Sequence, residues 1–241
     1  MSKNTKNKIR KAIRKGLTFE RANESQLSIL NNFVKKKRNK DDFYYNDYYN
    51  IFSRKNAVDF FLVSIDYEKY ILNAQDAYEK ELSKNELLNA KLRQKPGNKN
   101  INKKMNSDKT LLSYKNDISI ASKNLNTTNK EYIAGALVIK EGNKAYILIS
   151  GFDKKYKSFA ANYFMYYSII NYYKNELDYL NIGGISNNFS KDSKYHGLNT
   201  FKLGFNPKLY KYAGEFDLII RPKTYNYLDK KGYLEKEFNN H

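Results

Sequence analysis

Between residues 68 and 126 the only helix breakers are Pro96 and Gly97. The stretch on either side is polar, with a thin apolar seam. Leu72, Tyr78, Leu82, Leu88 and Leu92 supply it on the first limb, and Leu111, Leu112, Ile118, Ala121 and Leu125 on the second. Lys95-Pro96-Gly97-Asn98 is a turn signal. Two helical limbs of similar length about one tight turn form an antiparallel hairpin. A narrow seam with polar flanks marks a coiled-coil arm that projects from a body. The body is therefore expected from residues 1–67 and 127–241, with 68–126 inserted as the arm.

The flanking segments read as alternating helices and strands. Residues 3–15 carry seven Lys/Arg and no acid, with Ile9, Ala12 and Ile13 on one helical face, and Gly16 ends that helix. "LTFERA" follows as a short strand. Residues 24–39 read as a helix with Leu27, Leu30 and Val34 apolar, and "DDFYYNDYYNIFSRK" as a second with Phe43, Tyr48 and Phe52 on one face. "AVDFFLVSIDY" has the length and apolar continuity of a buried strand. After the arm, "EYIAGALVIKEGNKAYILISGF" predicts two strands joined by a Gly/Asn turn. A helix through "SFAANYFMYYSIINYYKNEL", a strand "DYLNIGG", a loop through "GLNTFKLGFN", a strand "AGEFDLIIRP" and a helix containing "YNYLDKKGYLEKEF" complete the order. That order is an α/β (α+β) fold with a mixed central sheet flanked by helices.

The net charge of +19 creates a field that attracts polyanions such as nucleic acid, anionic lipid or phosphorylated substrates. Cysteine is absent, which excludes disulfides and thiolate chemistry. Of the two histidines, His241 is the last residue, so only His196 is placed to act as a base, and a Ser–His–Asp triad is disfavoured. No phosphate-binding G-x-x-x-x-G-K-[ST] loop, dinucleotide G-x-G-x-x-G, His-Glu-x-x-His or G-x-S-x-G elbow occurs. The basic N-terminus has no apolar run after it, and no stretch approaches the ~18 apolar residues that span a bilayer. A soluble cytoplasmic protein is expected, with peripheral contact at the cytoplasmic membrane face as an option for the basic helix.

Residues 179–205, "YLNIGGISNNFSKDSKYHGLNTFKLGF", and 212–218, "YAGEFDL", carry a more specific signal. Gly183, Gly184, Ile185, Gly197, Leu198, Phe201, Lys202, Gly204, Phe205, Gly214, Glu215, Phe216 and Asp217 match, in order, the pattern of the FemABX family of peptidoglycan bridge-forming aminoacyltransferases. The basic N-terminal helix, "IAGALVIKEGNKAYIL", "YKSFAANY" and the polar hairpin also resemble family segments. Four positions depart from the pattern: Asn181-Ile182 stand for Asp-Phe, Lys157 for Arg and Ala161 for Pro.

The resemblance implies the second of two acetyltransferase-like (GNAT-like) domains, with its helical arm. The first domain has no counterpart here. A fragment, a split or degenerate gene, or a separate first-domain polypeptide would account for that. The implied activity is transfer of an amino acid from aminoacyl-tRNA, the co-substrate, to the peptide of a lipid-linked or nucleotide-linked peptidoglycan precursor, without cofactor or metal. Acyl transfer from an ester needs stabilisation of the oxygen that becomes anionic; on the resemblance Lys202 would face that carbonyl, or the terminal phosphate or ribose of the tRNA acceptor end, and Phe201 would help wall off the site. Glu215 or Asp217 would orient the amine or receive its proton. Lys157, Asn162, Tyr163, Gly183 and Gly184 would line the substrate site, and Lys6, Arg10, Lys11 and Arg14 would meet tRNA phosphates. Two alternatives remain: a non-catalytic tRNA- or partner-binding half, and a coenzyme-A-dependent acetyltransferase. The second lacks the glycine-rich pyrophosphate loop it needs.

Overall fold

The run from Val58 to Asp66 sends its large side chains alternately to two sides, and the body is laid out on both. In the computed structural model, which describes residues 1–35, 44–211 and 218–232, β1 (Leu17–Ala22), β2 (Val58–Asp66), β3 (Lys130–Glu141), β4 (Lys144–Phe152) and β5 (Tyr179–Asn181) form one sheet in that order. The first four strands pair antiparallel, and β5 joins β4 in parallel over three residues, Tyr179–Asn181 against Lys144–Tyr146. The sheet is mixed, as expected.

One face of the sheet is covered by α2 (Leu27–Val34) and α3 (Tyr44–Ser53), where Leu27, Leu30, Val34 and Tyr45 bury against Phe60, Leu62, Leu137 and Ile149. Cross-strand partners Gly135 and Gly151 let α2 lie this close: a Cβ on Gly151 would stand 2.7 Å from Val34 Cγ1. The other face takes Phe61, Val63 and Ile65 and is covered by α1 (Lys3–Arg14) and α6 (Ala161–Tyr173). Burying side chains of this size stabilises by about 1.5–3 kcal/mol each, so β2, buried on both faces, is the centre of the core.

The arm is a hairpin of α4 (Tyr67–Gln94) and α5 (Asn98–Leu125). Its seam follows alternating four- and three-residue steps: 67, 71, 74, 78, 81, 85, 88 and 92 on α4, and 100, 104, 107, 111, 114, 118, 121 and 125 on α5. This corrects the expected seam. Leu72, Leu82 and Leu112 fall off that spacing and point outward. Glu81, Asn85, Lys104 and Ser107 take seam positions instead, because they and their neighbours satisfy one another. Ser107 Oγ donates to Glu81 Oε1 (2.6 Å), and Asn85 Nδ2 donates to Ser107 Oγ (3.0 Å) and Asp108 Oδ1 (2.9 Å). Lys84 and Lys104 pair with Glu81 and Asp108. Burial opposes the charge on Glu81, but the bonds from Lys84 and Ser107 outweigh it and hold the carboxyl below its usual range.

At the arm's root, Lys15, just past the end of α1, donates to Asp117 Oδ1 of α5 (2.7 Å) and to the Tyr70 hydroxyl of α4 (2.8 Å). Its ammonium also lies 4.5 Å from the centre of the Phe159 ring. Arg14 stacks on Tyr114, and Asn73 Nδ2 donates to the carbonyl of Ile13.

The chain divides into residues 1–206 and 207–241. In the second unit, α8 (Pro222–Lys230) starts on its proline. The expected strand "AGEFDLIIRP" falls largely outside the described residues, and its described part, 218–221, is irregular.

Candidate functional site

The segment expected as a loop is a helix, α7 (His196–Leu203). The glycines at 197 and 204 suggested a loop, yet Gly204 keeps right-handed helical dihedrals, φ −59° and ψ −23°. Its missing side chain serves contact with α1 instead: a Cβ there would meet Thr5 Oγ1 at 2.2 Å. The Ser2 amide donates to the Gly204 carbonyl at 2.8 Å, so the start of α1 grips the end of α7.

Facing α7 is the turn that leaves β5. Asn181 Oδ1 accepts from the Gly183 amide (2.7 Å), a side-chain-closed turn that holds Gly183 at φ +82°, a conformation glycine adopts without strain. The chain from 184 onward is tied to α7 by Asn199, which is buried. Its Oδ1 accepts from the Ser186 amide (3.0 Å), and its Nδ2 donates to the carbonyls of Ser186 (2.9 Å) and Asn188 (3.2 Å).

Lys202 lies between these pieces. It is only 8% exposed, and Nζ donates to the Gly184 carbonyl at 2.7 Å. A Cβ on Gly183 would come within 2.8 Å of Nζ, so that glycine makes the space the ammonium occupies. Burial pushes the lysine's pKa down. Among the described residues no carboxylate lies within ion-pair distance of it. An ammonium has three protons to donate, and one is used on Gly184.

The neighbouring Phe201 anchors the helix. Its ring packs edge-on against Tyr163 and Tyr166, both at 4.9 Å, and against Phe205 at 5.5 Å. Tyr166 shares a hydrogen bond of 3.1 Å with Ser150 of β4. Burial raises the pKa of Tyr163 and Tyr166, so both remain neutral phenols.

The structure thus gathers Lys202, Phe201, Tyr163, Gly183 and Gly184. Asn162 is half-buried in the first turn of α6, and Lys157 is exposed on the 3-10 turn before it. Glu215 and Asp217 lie outside the described residues. Lys6 and Arg10 are exposed on α1. Lys11 is half-buried, and burial, with Lys15 and Lys8 nearby, lowers its pKa. Arg14 is turned to the arm, onto Tyr114.

Sequence reading missed Asn199, although it sits between Leu198 and Phe201 of the matched pattern. It also missed Asp59, a lone acid in an apolar run. That carboxylate is buried on β2, ion-paired with Arg21 (2.6 Å) and Lys140 (3.0 Å), and accepts from Tyr173 (2.5 Å). These partners tie α6 to the sheet.

Among the described residues no three His, Cys, Asp or Glu side chains cluster to hold a metal, and no helix is long and apolar enough to cross a membrane. The crystal structure of FemX is similar to this fold with a TM-score of 0.64 at 21% identity, covering 95% of this chain and 59% of that one. The lipid II:glycine glycyltransferase of Staphylococcus epidermidis is 26% identical over 93% of this chain. The protein of the same name from Staphylococcus aureus is 25% identical over the same share. The chain spans 55% and 56% of their lengths. The model of the FemAB family matches residues 1–230, and this chain therefore belongs to the FemAB family.

Proposed function

We propose that this chain is the acyl-transferring unit of a tRNA-dependent aminoacyltransferase. On this reading it adds an amino acid, glycine by analogy with its relatives, to the peptide of lipid II. The observation that carries the reading is the Lys202 ammonium, buried beside Gly183 and Gly184 with a carbonyl as its hydrogen-bond acceptor.

The chemistry follows from that placement. An amine of the acceptor peptide attacks the ester carbonyl of the aminoacyl-tRNA, a C–N bond forms, and the carbonyl oxygen becomes anionic. A buried cation with no carboxylate at ion-pair distance among the described residues is stabilised by that oxygen more than by a neutral ground-state carbonyl, so the contact strengthens in the transition state. The ester C–O bond then breaks, the ribose oxygen leaves with a proton, and the attacking nitrogen gives one up. Phe201, wedged among Tyr163, Tyr166 and Phe205, fixes the helix that carries the lysine, and α7's bonds through Asn199 fix the loop opposite. Such positioning suits an ester, which is already activated.

The test compares the unmodified chain with Lys202→Met and Lys202→Arg, each supplied with charged tRNA, lipid II and a relative's first domain. Removing one oxyanion donor costs on the order of 100- to 1000-fold in kcat. The Met variant is expected to fall by that much while still binding a non-hydrolysable aminoacyl-tRNA analogue. Transfer by the Met variant at the unmodified rate would refute the assignment.

A further inference from the structure

The outer end of the arm is a second strongly basic segment. Residues 84–106 hold seven Lys/Arg against one acid, Glu86. All lie within about 20 Å of the turn at the helical rise of 1.5 Å per residue. Among the described residues the arm's hydrogen bonds, ion pair and ring contacts to the body stop near its root, at Tyr67, Tyr70, Asn73, Tyr114 and Asp117. From Asn73 to the turn is about 30 Å of helix.

Large apolar side chains are exposed on both sides of the hairpin here, Leu87 on the side of Lys84, Lys91 and Lys103, and Ile101 and Met105 on the other. Leu87 is 64% exposed, Met105 50% and Ile101 41%. Beside Leu87 runs an open groove of about 460 Å³ with Leu87 and Leu88 among its lining and Lys84, Lys91 and Lys103 around it. Apolar side chains such as Leu87 on a solvated helix are disfavoured in water and favoured at a hydrocarbon boundary. The lysines around them complement phosphate headgroups.

We propose that the outer end of the arm docks on an anionic lipid bilayer through the side that carries this groove, with Leu87 entering the headgroup–acyl boundary and Lys91, Lys99 and Lys103 on the lipid phosphates. The helical parts of a tRNA would offer phosphates to the same lysines but no apolar boundary for Leu87. Single-stranded RNA is read by stacking on aromatic rings, and no Phe, Tyr or Trp occurs from Glu79 to Ser113 in a chain with 23 Tyr and 14 Phe. The proposal goes beyond the transfer chemistry. A lipid-linked acceptor gives the docking a purpose, but lipid binding is read without any transfer, so the two fail separately.

The experiment is co-sedimentation of the full chain with vesicles of phosphatidylcholine alone or mixed with phosphatidylglycerol. The chain is expected to partition to the mixed vesicles, less so as salt rises. Each lysine at an anionic surface contributes about 1 kcal/mol. The combined variant Lys91→Gln, Lys99→Gln, Lys103→Gln is therefore expected to bind on the order of 100-fold less. Lys84 is left in place because it pairs with Glu81 in the seam. A second variant, Leu87→Ser, keeps the charge and is expected to lose the salt-resistant part of binding, while Ile101→Ser with Met105→Ser, on the other side of the hairpin, is expected to keep it. Circular dichroism checks that all keep their helices. Equal binding to both vesicle types would overturn the proposal. So would lysine variants that lose tRNA affinity with vesicle partition unchanged, or vesicle binding that disappears with Lys6→Gln and Arg10→Gln alone.

Discussion

Replacing Asp117 by leucine tests whether the arm's root is held electrostatically. In the folded chain Lys15 and Asp117 are nearly buried, their side chains 9% and 8% exposed, with 2.7 Å between Nζ and Oδ1. Removing the carboxylate strands an ammonium whose remaining contacts are the Tyr70 hydroxyl and the Phe159 ring. Breaking a buried pair from one side costs about 3–5 kcal/mol. Among the described residues Asp117 Oδ2 finds no hydrogen-bond partner, so the native pair is itself incompletely compensated, and the loss belongs at the lower end, about 3 kcal/mol. Removing all the polar groups together, as Lys15→Met, Tyr70→Phe and Asp117→Leu, leaves no stranded charge or hydroxyl. That combination forfeits the cation–ring contact, worth about 1–2 kcal/mol, and gains what desolvation had cost. It is expected within about 1 kcal/mol of the unmodified chain. Urea unfolding followed by circular dichroism measures both, with the m-value checking that the same surface is exposed. The reasoning fails if Asp117→Leu alone costs under about 1 kcal/mol, or if the combined variant is as unstable as the single one.

Further substitutions probe other contacts. Gly204→Ala puts a methyl on Thr5 Oγ1 and should cost about 1–3 kcal/mol in thermal or urea unfolding, with Thr5→Ala recovering part of it. Lys202 has its pKa depressed by burial below the usual 10.5, so between its folded value and 10.5 the unfolded chain holds more protons and stability rises with pH. Lys202→Met should remove that rise, seen as unfolding midpoints that no longer climb across alkaline pH. On the arm, Ala121→Leu should overpack the seam by about 1–3 kcal/mol, whereas Leu112→Ser should stay within about 0.5 kcal/mol in the same measurement.

What could be read from the sequence was what depends on local pattern. β2 announced itself by an apolar run, β3 and β4 by a Gly/Asn turn, and the arm by the rarity of breakers. Charge placement was less accessible. Leu72, Leu82 and Leu112 were assigned to the seam because they are leucines, but the alternating step puts Glu81, Asn85 and Ser107 there, tolerated through hydrogen bonds across the two helices. Lys15 belonged to a basic helix on paper; the turn at Gly16 and the return of α5 from a hundred residues away bury it. The same holds at the site. Gly204 looked like a loop residue because its partner, Thr5, lies at the other end of the chain. Lys202 was singled out by kinship, while its contact with Gly184 and the role of Asn199 depend on a loop folding back onto α7.

These long-range contacts converge on α1. Its first turn holds the end of α7 through Ser2 and Thr5, and its last turn holds the arm through Ile13, Arg14 and Lys15. Helices are stiff over twelve residues, so the position of Lys202 and the root of the arm are set by one rod. The rod's cationic face has two populations: Lys6 and Arg10 are exposed, while Arg14 and Lys15 are engaged with the arm. If tRNA phosphates are held here, the free end of the rod beside α7 is where they can be met, which puts the charged helix next to the lysine proposed to meet the ester. Charge-neutral substitutions at Lys6 and Arg10 should then weaken tRNA binding and flatten its salt dependence, leaving stability alone. Substitutions at Lys15 should do the reverse, because there the charge is structural.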